Sequence, residues 1–158
     1  MNYSFAEAQD DDWSWILKGS AEAVWVSLPE ERKQQLGREA IDQHYEDEAR
    51  DFQGDDRFPN QAILARDPEG RRSGFVWVAE ATTDGTGQPH GFVMDLYLDP
   101  LHRGTGLAKV LMEKAEDWCR ARGLKYMQLS VSPANTPAYR LYQKLGYTVE
   151  RHILSKDL

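Results

Sequence analysis

This sequence of 158 residues has a single cysteine, and it has neither a long apolar run nor a recognisable targeting signal. Cys119 is the single cysteine, which excludes an internal disulfide. No apolar run approaches the ~20 residues that cross a bilayer. The opening residues, MNYSFAEAQDDDW, have neither the basic nor the apolar region of a signal peptide. We therefore expect a cytoplasmic protein with no membrane partner.

Positive charge is outnumbered by negative charge, with 19 basic against 26 acidic side chains, and no basic stripe of the kind that nucleic-acid binders carry is visible. The net charge is −7, and residues 1–60 hold 15 acidic against 6 basic side chains, while residues 61–158 hold 11 against 13. The acidic part either attracts a cationic partner or forms solvated helix surfaces. The four histidines lack metal-ligand spacing, so we expect no metal.

What is present is a pattern of strands and helices with 41% hydrophobic and 11% aromatic residues, enough for the core of one domain over residues 1–158. The order is strand, two helices, three strands, helix, strand, helix and a terminal strand. This order predicts an α/β (α+β) fold, in which a mixed sheet carries helices on its faces. Gly19 is expected to interrupt the first helix, and Ser27 to cap a second helix that reaches Phe52.

Two glycines, Gly104 and Gly106, stand at the start of the helix that follows the strand GFVMDLYL. Bare backbone at a helix N-terminus suits a phosphate, and Arg103 adds a positive charge. The segment lacks the Walker pattern, and Lys109 stands where a Rossmann motif needs its third glycine. The alternative is that the glycines only shape a tight turn.

A second landmark, SVSPANTPAYRLYQKLGY, follows the next strand. Asn135 can bond the amides of a ligand, or it can simply cap the helix that begins at Thr136. Tyr142 lies about two helical turns further on, where it can donate a proton into a cleft or pack in the core.

Together these motifs resemble the GNAT superfamily of N-acetyltransferases, which use acetyl-CoA. The family pattern [Q/R]-x-x-G-x-[G/A] is matched from Arg103 to Ala108, and N-x-x-A-x-x-L-Y-x-x-L-G-[FY] is matched from Asn135 to Tyr147. The resemblance is clear over residues 74–158, the cofactor core, and only topological before residue 74, where residues 1–60 are the acceptor side. It implies a GNAT-like, mostly antiparallel sheet of six or seven strands, with helices on both faces.

The resemblance also implies roles for individual residues. The backbone of Leu96 and Leu98 should pair with the pantetheine arm in a gap between the fourth and fifth strands. The N–H of Leu98 should hold the oxyanion, Asn135 should bond the pantetheine, and Tyr142 should protonate the leaving thiolate. The pyrophosphate should lie on the backbone of one turn, made of Arg103, Gly104, Thr105, Gly106, Leu107 and Ala108.

The general base is left open by the sequence. Some family members have a glutamate five residues before the asparagine, where this chain has Ser130. Asp95 and Glu80 are the remaining candidates, beside a relay of waters.

The implied reaction moves the acetyl group of acetyl-CoA directly to a primary amine through a tetrahedral intermediate. A peptide N-terminus, a lysine, a polyamine or an aminosugar would fit, and the acidic N-terminal part with Trp13, Trp15 and Trp25 suits a cationic amine. Those tryptophans are alternatively core residues. A non-catalytic acyl-CoA-binding module is the alternative function, and an interaction domain with structural glycines is another. The short tail after Gly146 leaves room for a strand shared in a homodimer.

Overall fold

The structure is a computed structural model that describes residues 2–52 and 57–158. Five strands form one sheet, whose spatial order follows the chain. The first four strands are antiparallel, and the fifth runs parallel to the fourth. The strands are β1 (Ser4–Glu7), β2 (Asn60–Arg66), β3 (Arg72–Ala81), β4 (His90–Leu98) and β5 (Met127–Leu129).

Five α-helices cover both faces of this sheet. They are α1 (Trp13–Ser27), α2 (Glu30–Leu36), α3 (Arg38–Phe52), α4 (Leu107–Ala121) and α5 (Thr136–Lys144). Phe75 of β3 packs with Ile16 of α1, whereas its neighbour Val76 packs with Leu111 of α4. Because successive strand residues point to opposite faces, α1 and α4 lie on opposite sides. The predicted class, a mixed and mostly antiparallel sheet between helices, is confirmed.

The first helix is continuous, so the predicted break at Gly19 is wrong. Gly19 lies in the middle of α1 and is buried. A Cβ atom there would come within 2.8 Å of the Tyr97 ring and 2.9 Å of the Phe75 ring. This glycine therefore serves the close approach of α1 to the sheet, which is a tertiary requirement that helix propensity does not reveal.

The second predicted helix is in fact two helices, α2 and α3. Gly37 separates them with a φ of 72°, a left-handed conformation that favours glycine. Ser27 does not cap α2, because its hydroxyl donates to the carbonyls of Ala23 and Val24 within α1. The segment QGDDRFPN, residues 53–60, predicts a loop, and part of this segment lies outside the described residues.

The predicted strand count is too high, because five strands are found in the described part of the chain. The tail after Tyr147 is exposed and carries no regular structure. A strand here would place Arg151 between Val149 and Ile153 on the same face, and the charge of Arg151 would make that face costly to bury. β5 is also shorter than the strand that the segment KYMQLSVS, residues 125–132, predicts.

A buried carboxylate ties the start of α1 to the sheet. Asp12 is 1% exposed and pairs with Arg66 at 2.6 Å and with Arg72 at 2.7 Å. Burial by itself raises the pKa of Asp12, but the hydrogen bond from the Gln9 N–H and the two guanidinium groups lower it below the usual value. This cluster fixes the position from which α1 crosses β4.

Candidate active site

The candidate site is a gap at the sheet edge where β4 and β5 separate. Their pairing ends at Val93 and Leu129, although β4 continues to Leu98. The register with β3 shifts at the same place, since Trp77 faces Asp95 while Val78 faces Val93. Met94 is therefore an extra residue on β4, a bulge that ends the pairing with β5.

Beyond this bulge the backbone of β4 opens into the gap. The N–H of Asp99 donates to the carbonyl of Ser73, toward β3, at 3.0 Å. Successive peptide groups of a strand alternate, so the polar groups of Leu98 and Leu96 point to the opposite edge. The resemblance to the GNAT superfamily implies that these groups pair with the pantetheine arm. Leu96 is the nearer of the two to Asp95.

The glycine turn at the start of α4 is held open by its conformation. Gly104 has a φ of 73° and Gly106, the N-cap residue, a φ of 84°, and no side chain caps this helix. Thr105 donates to the carbonyl of His102 at 2.7 Å, and the Tyr3 hydroxyl donates to Thr105 at 3.2 Å. The free N–H groups of the first turn are a site for an anion.

Other residues of the turn lie close to the gap. Arg103 donates from Nε to the carbonyl of Leu98 at 3.3 Å and is exposed. Leu107 is buried against the sheet, whereas Ala108 is partly exposed on the first helical turn. Lys109 pairs with Glu113 at 3.7 Å on the outer surface of α4.

Asn135 and Tyr142 stand on the β5 side of the gap. The Asn135 side chain accepts from the N–H of Ala138 at 3.3 Å, which caps α5. Tyr142 is 9% exposed and packs edge-on against Tyr147. Burial, together with the negative charge of Asp95, raises the pKa of Tyr142 to about 12. This phenol therefore keeps its proton at neutral pH and lies within electrostatic range of Asp95.

Asp95 projects from β4 on the face covered by α1 and α3. The Tyr45 hydroxyl of α3 donates to its Oδ1 at 3.3 Å. Burial raises the pKa of Asp95 to about 7, and the charge of Glu48 adds to this rise, while the hydroxyls of Ser20 and Tyr45 oppose it. A carboxylate with a pKa near neutrality is suited to accept a proton from an amine.

Tyr45, Glu48 and Ser20 are site residues that the sequence analysis missed. Tyr45 falls at helical spacing with the apolar residues Ile41 and Ala49, and its hydroxyl within that stripe is the signal that could have identified it. Ser20 is fully buried on α1. Burial raises the pKa of Glu48, and the nearby His44 opposes that effect. None of the three belongs to either sequence motif.

The other candidate bases lie in different surroundings. Glu80 accepts from Nε of Arg122 at 3.3 Å, and it faces Gly91 at the opposite end of β4 from Asp95. Ser130 is exposed just after the end of β5 and lines a groove beside that strand. The groove has a volume of about 1720 Å³, and Tyr142 and Ser27 also line it.

The remaining singled-out side chains are mainly structural. Trp13 packs edge-on against Trp77, Trp15 against Phe75, and Trp25 joins the cluster between α1 and α3. Burial raises the pKa of the Cys119 thiol to about 11, so this cysteine is a packed and unreactive group. Over residues 2–52 and 57–158 there is no group of side chains arranged to hold a metal ion, and no helix long and apolar enough to cross a membrane.

Solved structures share this architecture. A Pyrococcus furiosus protein superposes with a TM-score of 0.81 and 21% identity, covering 99% of this chain and 100% of that one. AAC(6')-Iy, in complex with the bisubstrate analog CoA-S-monomethyl-acetylneamine, superposes with a TM-score of 0.73 and 18% identity over 100% and 99% of the two chains. At these identities the likeness shows the fold.

Relatives with similar sequences are named as acetyltransferases. A mycothiol acetyltransferase of Thermobispora bispora is 42% identical over 76 residues, which are 48% of this chain and 26% of that protein. The catalytic subunit NAA20 of the N-terminal acetyltransferase B complex of Arabidopsis thaliana is 34% identical over 100 residues, 62% of this chain and 56% of that protein. The chain thus spans about a quarter and about half of their lengths. Residues 25–147 match the Acetyltransferase (GNAT) family, and the chain belongs to that family.

Proposed function

We propose that this protein transfers the acetyl group of acetyl-CoA to a primary amine, with Asp95 as general base and Tyr142 as general acid. The observation that carries this proposal is the position of these two groups on either side of the β4–β5 gap. One has a pKa of about 7 and the other of about 12. Two titratable groups whose environments push their pKa values apart are suited to opposite proton-transfer roles.

The cofactor site follows from the shape of the gap. The pantetheine arm pairs with the backbone of Leu96 and Leu98, which faces the gap beyond the bulge. The pyrophosphate lies on the turn from Arg103 to Ala108, at the uncapped start of α4. Asn135 adds a contact to the pantetheine from the β5 side.

The reaction is a direct displacement at the thioester carbon. The acceptor ammonium gives one proton to Asp95, which releases it to water, and the neutral amine attacks the carbonyl carbon. The oxyanion is held by a gap-facing N–H, that of Leu98 or that of Leu96, which is nearer to Asp95. The attack forms the N–C bond and a tetrahedral intermediate, and the C–S bond breaks as the oxyanion re-forms the carbonyl. Tyr142 protonates the thiolate and regains a proton from the nitrogen, so the products are an amide and CoA.

The acceptor is a cationic amine, because the acidic N-terminal part of the chain attracts positive charge. The named relatives act on different compounds, since one is a mycothiol acetyltransferase and another belongs to an N-terminal acetyltransferase complex. The proposed acceptors are peptide N-termini, lysines, polyamines and aminosugars, because the fold alone does not determine which of them is the substrate.

The cofactor site is tested by isothermal titration with acetyl-CoA. Ala108→Glu places a carboxylate on the first turn of α4, where it favours the helix but repels a pyrophosphate. We expect micromolar binding to the natural protein and a loss of tenfold or more in this variant. Ala121→Glu adds the same charge at the far end of α4 and serves as the control. Acetyl-pantetheine, which lacks the pyrophosphate, should bind both variants equally.

A protein that fails to bind acetyl-CoA would contradict the proposal and leave the glycines a structural role only. Binding without turnover of any amine would instead identify an acyl-CoA-binding module. An assay for free CoA thiol in the presence of a primary amine distinguishes these outcomes.

A further inference from the structure

Tyr3, His102 and Thr105 form a closed ring of hydrogen bonds at the glycine turn. The Thr105 hydroxyl donates to the carbonyl of His102 at 2.7 Å, and the Tyr3 hydroxyl donates to the Thr105 oxygen at 3.2 Å. The same Tyr3 oxygen lies 3.0 Å from Nδ1 of the His102 imidazole. The ring therefore joins the turn to a residue that lies 99 positions before His102 in the chain.

The donor in each contact follows from the number of protons that the three groups carry. A carbonyl oxygen only accepts, so the single proton of the Thr105 hydroxyl is used in its bond to His102. The contact between Tyr3 and Thr105 then takes the Tyr3 proton. Tyr3 accepts in turn from Nδ1 of His102, which carries the proton of the ring. Each contact has a donor in this arrangement, and linked hydrogen bonds of this kind strengthen one another.

Two of the three residues are anchored in the rest of the fold. His102 is 8% exposed, and the Tyr3 ring meets its imidazole edge-on, with centroids 5.6 Å apart. Nε2 of His102 lies 4.0 Å from the carboxylate of the buried Asp67. Tyr3 directly precedes β1, which pairs with β2, and it packs against the core between the sheet and α4. Thr105 is therefore tied to a part of the molecule that packing holds in place.

Thr105 itself belongs to a segment that is easily deformed. It lies between Gly104 and Gly106, whose φ angles are 73° and 84°. Glycine has no Cβ and adopts many backbone conformations at little cost, so the glycines alone do not fix the direction of the N–H groups in this turn. Thr105 is exposed, and no side chain caps α4. The hydrogen bonds of its hydroxyl are therefore the contacts that hold the middle of the turn.

We propose that Tyr3 and His102 are positioning residues, which hold Thr105 so that the backbone N–H groups of the glycine turn converge on the pyrophosphate of acetyl-CoA. Neither residue needs to touch the cofactor, because both act through the Thr105 hydroxyl. A site that is ordered beforehand binds more tightly, because less conformational freedom is lost on association. This inference rests on the proposed function and deepens it by assigning the residues that shape its anion site.

The test measures the binding of acetyl-CoA and of acetyl-pantetheine to Tyr3→Phe by isothermal titration. This variant loses the hydroxyl and keeps the ring. We expect the Kd of acetyl-CoA to rise by about threefold to tenfold, the effect of one hydrogen bond, and the Kd of acetyl-pantetheine to stay within about twofold. Tyr126→Phe is the matched control, because the Tyr126 hydroxyl also donates to a side chain, that of Asp84, but its ring stacks on His90 at the opposite end of β4. The control should change neither Kd.

Substitutions of His102 test whether the ring of hydrogen bonds acts as a unit. His102→Leu removes the donor and should weaken acetyl-CoA binding about as much as Tyr3→Phe does. The double variant should bind no more weakly than either single variant, because each substitution breaks the same ring. His102→Asn places an amide N–H near the position of Nδ1 and should keep most of the affinity. Thermal unfolding of each variant establishes that it is folded at the temperature of the titration.

Three results would overturn the inference. Acetyl-CoA binding that is unchanged in Tyr3→Phe and His102→Leu would do so and would leave the proposed function standing. Equal weakening of acetyl-CoA and acetyl-pantetheine, or losses that add in the double variant, would show that the two residues only stabilise the fold. A natural protein that binds no acetyl-CoA would overturn this inference together with the cofactor site. Binding that follows the expected pattern without turnover of any amine would support the inference and contradict the catalytic roles of Asp95 and Tyr142.

Discussion

The hydroxyl of Tyr45 on α3 donates a hydrogen bond of 3.3 Å to Asp95 on β4, fifty residues away along the chain. This contact joins α3 to a partly buried strand residue at the part of β4 that lies beyond the bulge. It also keeps the carboxylate in surroundings where burial raises its pKa to about 7.

Asp95→Asn should lower kcat/KM for amine acetylation by a factor of about 10² to 10⁴, the usual contribution of a general base. The natural protein should show a kcat/KM that rises with pH through about 7, as Asp95 loses its proton. The variant should lose that rise. Measuring kcat/KM from pH 5.5 to 9 for both proteins tests this. If Asp95→Asn kept the same increase near pH 7, the base would be another group or water.

Asp95→Asn should also stabilise the folded protein at alkaline pH. The folded-state pKa of Asp95 is raised above the usual value, so the folded protein binds its proton more tightly than the unfolded chain does. The free energy of unfolding therefore decreases as the pH rises from about 4 through 7. Asparagine carries no charge, so Asp95→Asn should have a higher Tm than the natural protein at pH 8 and a similar one at pH 4.5. Asp47→Asn, an exposed control on α3, should alter neither value.

Tyr142→Phe should reduce kcat by roughly 10² with little change in the KM of acetyl-CoA, because it removes the proton donor and keeps the ring. The ring packs against Tyr147, so phenylalanine preserves the core contact. The defect should shrink for an acetyl thioester of an acidic thiol, whose thiolate leaves without protonation. An equal defect for both thioesters in a stopped-flow assay would indicate a structural role for Tyr142.

The local structure of the glycine turn and of α5 could be predicted from sequence because it depends on nearby residues. Gly104 and Gly106 adopt the left-handed conformation, and Asn135 caps the helix that carries Tyr142. The mixed and mostly antiparallel character of the sheet was also predictable, since hairpins come first along the chain and crossovers follow.

The acceptor side was less predictable because it depends on long-range packing. Tyr45 and Glu48 reach the site only because α3 lies over α1 and β4, and α3 is separated from β4 by about forty residues of chain. The length of β5 was overestimated for a related reason. Its pairing ends at the bulge on β4, which its own sequence does not record. Whether the exposed tail pairs with another subunit stays a prediction, which light scattering after gel filtration would check.

Gly19→Ala should destabilise the protein even though alanine is the better helix former. The added Cβ would lie 2.8 Å from the Tyr97 ring and 2.9 Å from the Phe75 ring. Overpacking of this kind costs about 1–3 kcal/mol, more than the ~1 kcal/mol that helix propensity returns. Urea denaturation should show a lower midpoint for this variant. Ser14→Ala, at an exposed position of α1, should show no loss, and an equal response of the two variants would contradict the packing argument.

Asp12→Asn should be the most destabilising of these substitutions at neutral pH. It leaves Arg66 and Arg72 without their shared carboxylate, and because these arginines are 33% and 30% exposed, the loss should stay below the ~3–5 kcal/mol of a fully buried ion pair. The folded-state pKa of Asp12 is lowered, so its contribution is fully present above the usual pKa of 3.8 and is lost as the pH falls through the lower value. The gap in unfolding free energy between the natural protein and Asp12→Asn should therefore narrow below about pH 4. Asp10→Asn, an exposed neighbour, is the control, and a gap that stays constant with pH would show that the charge of Asp12 does not stabilise this corner of the fold.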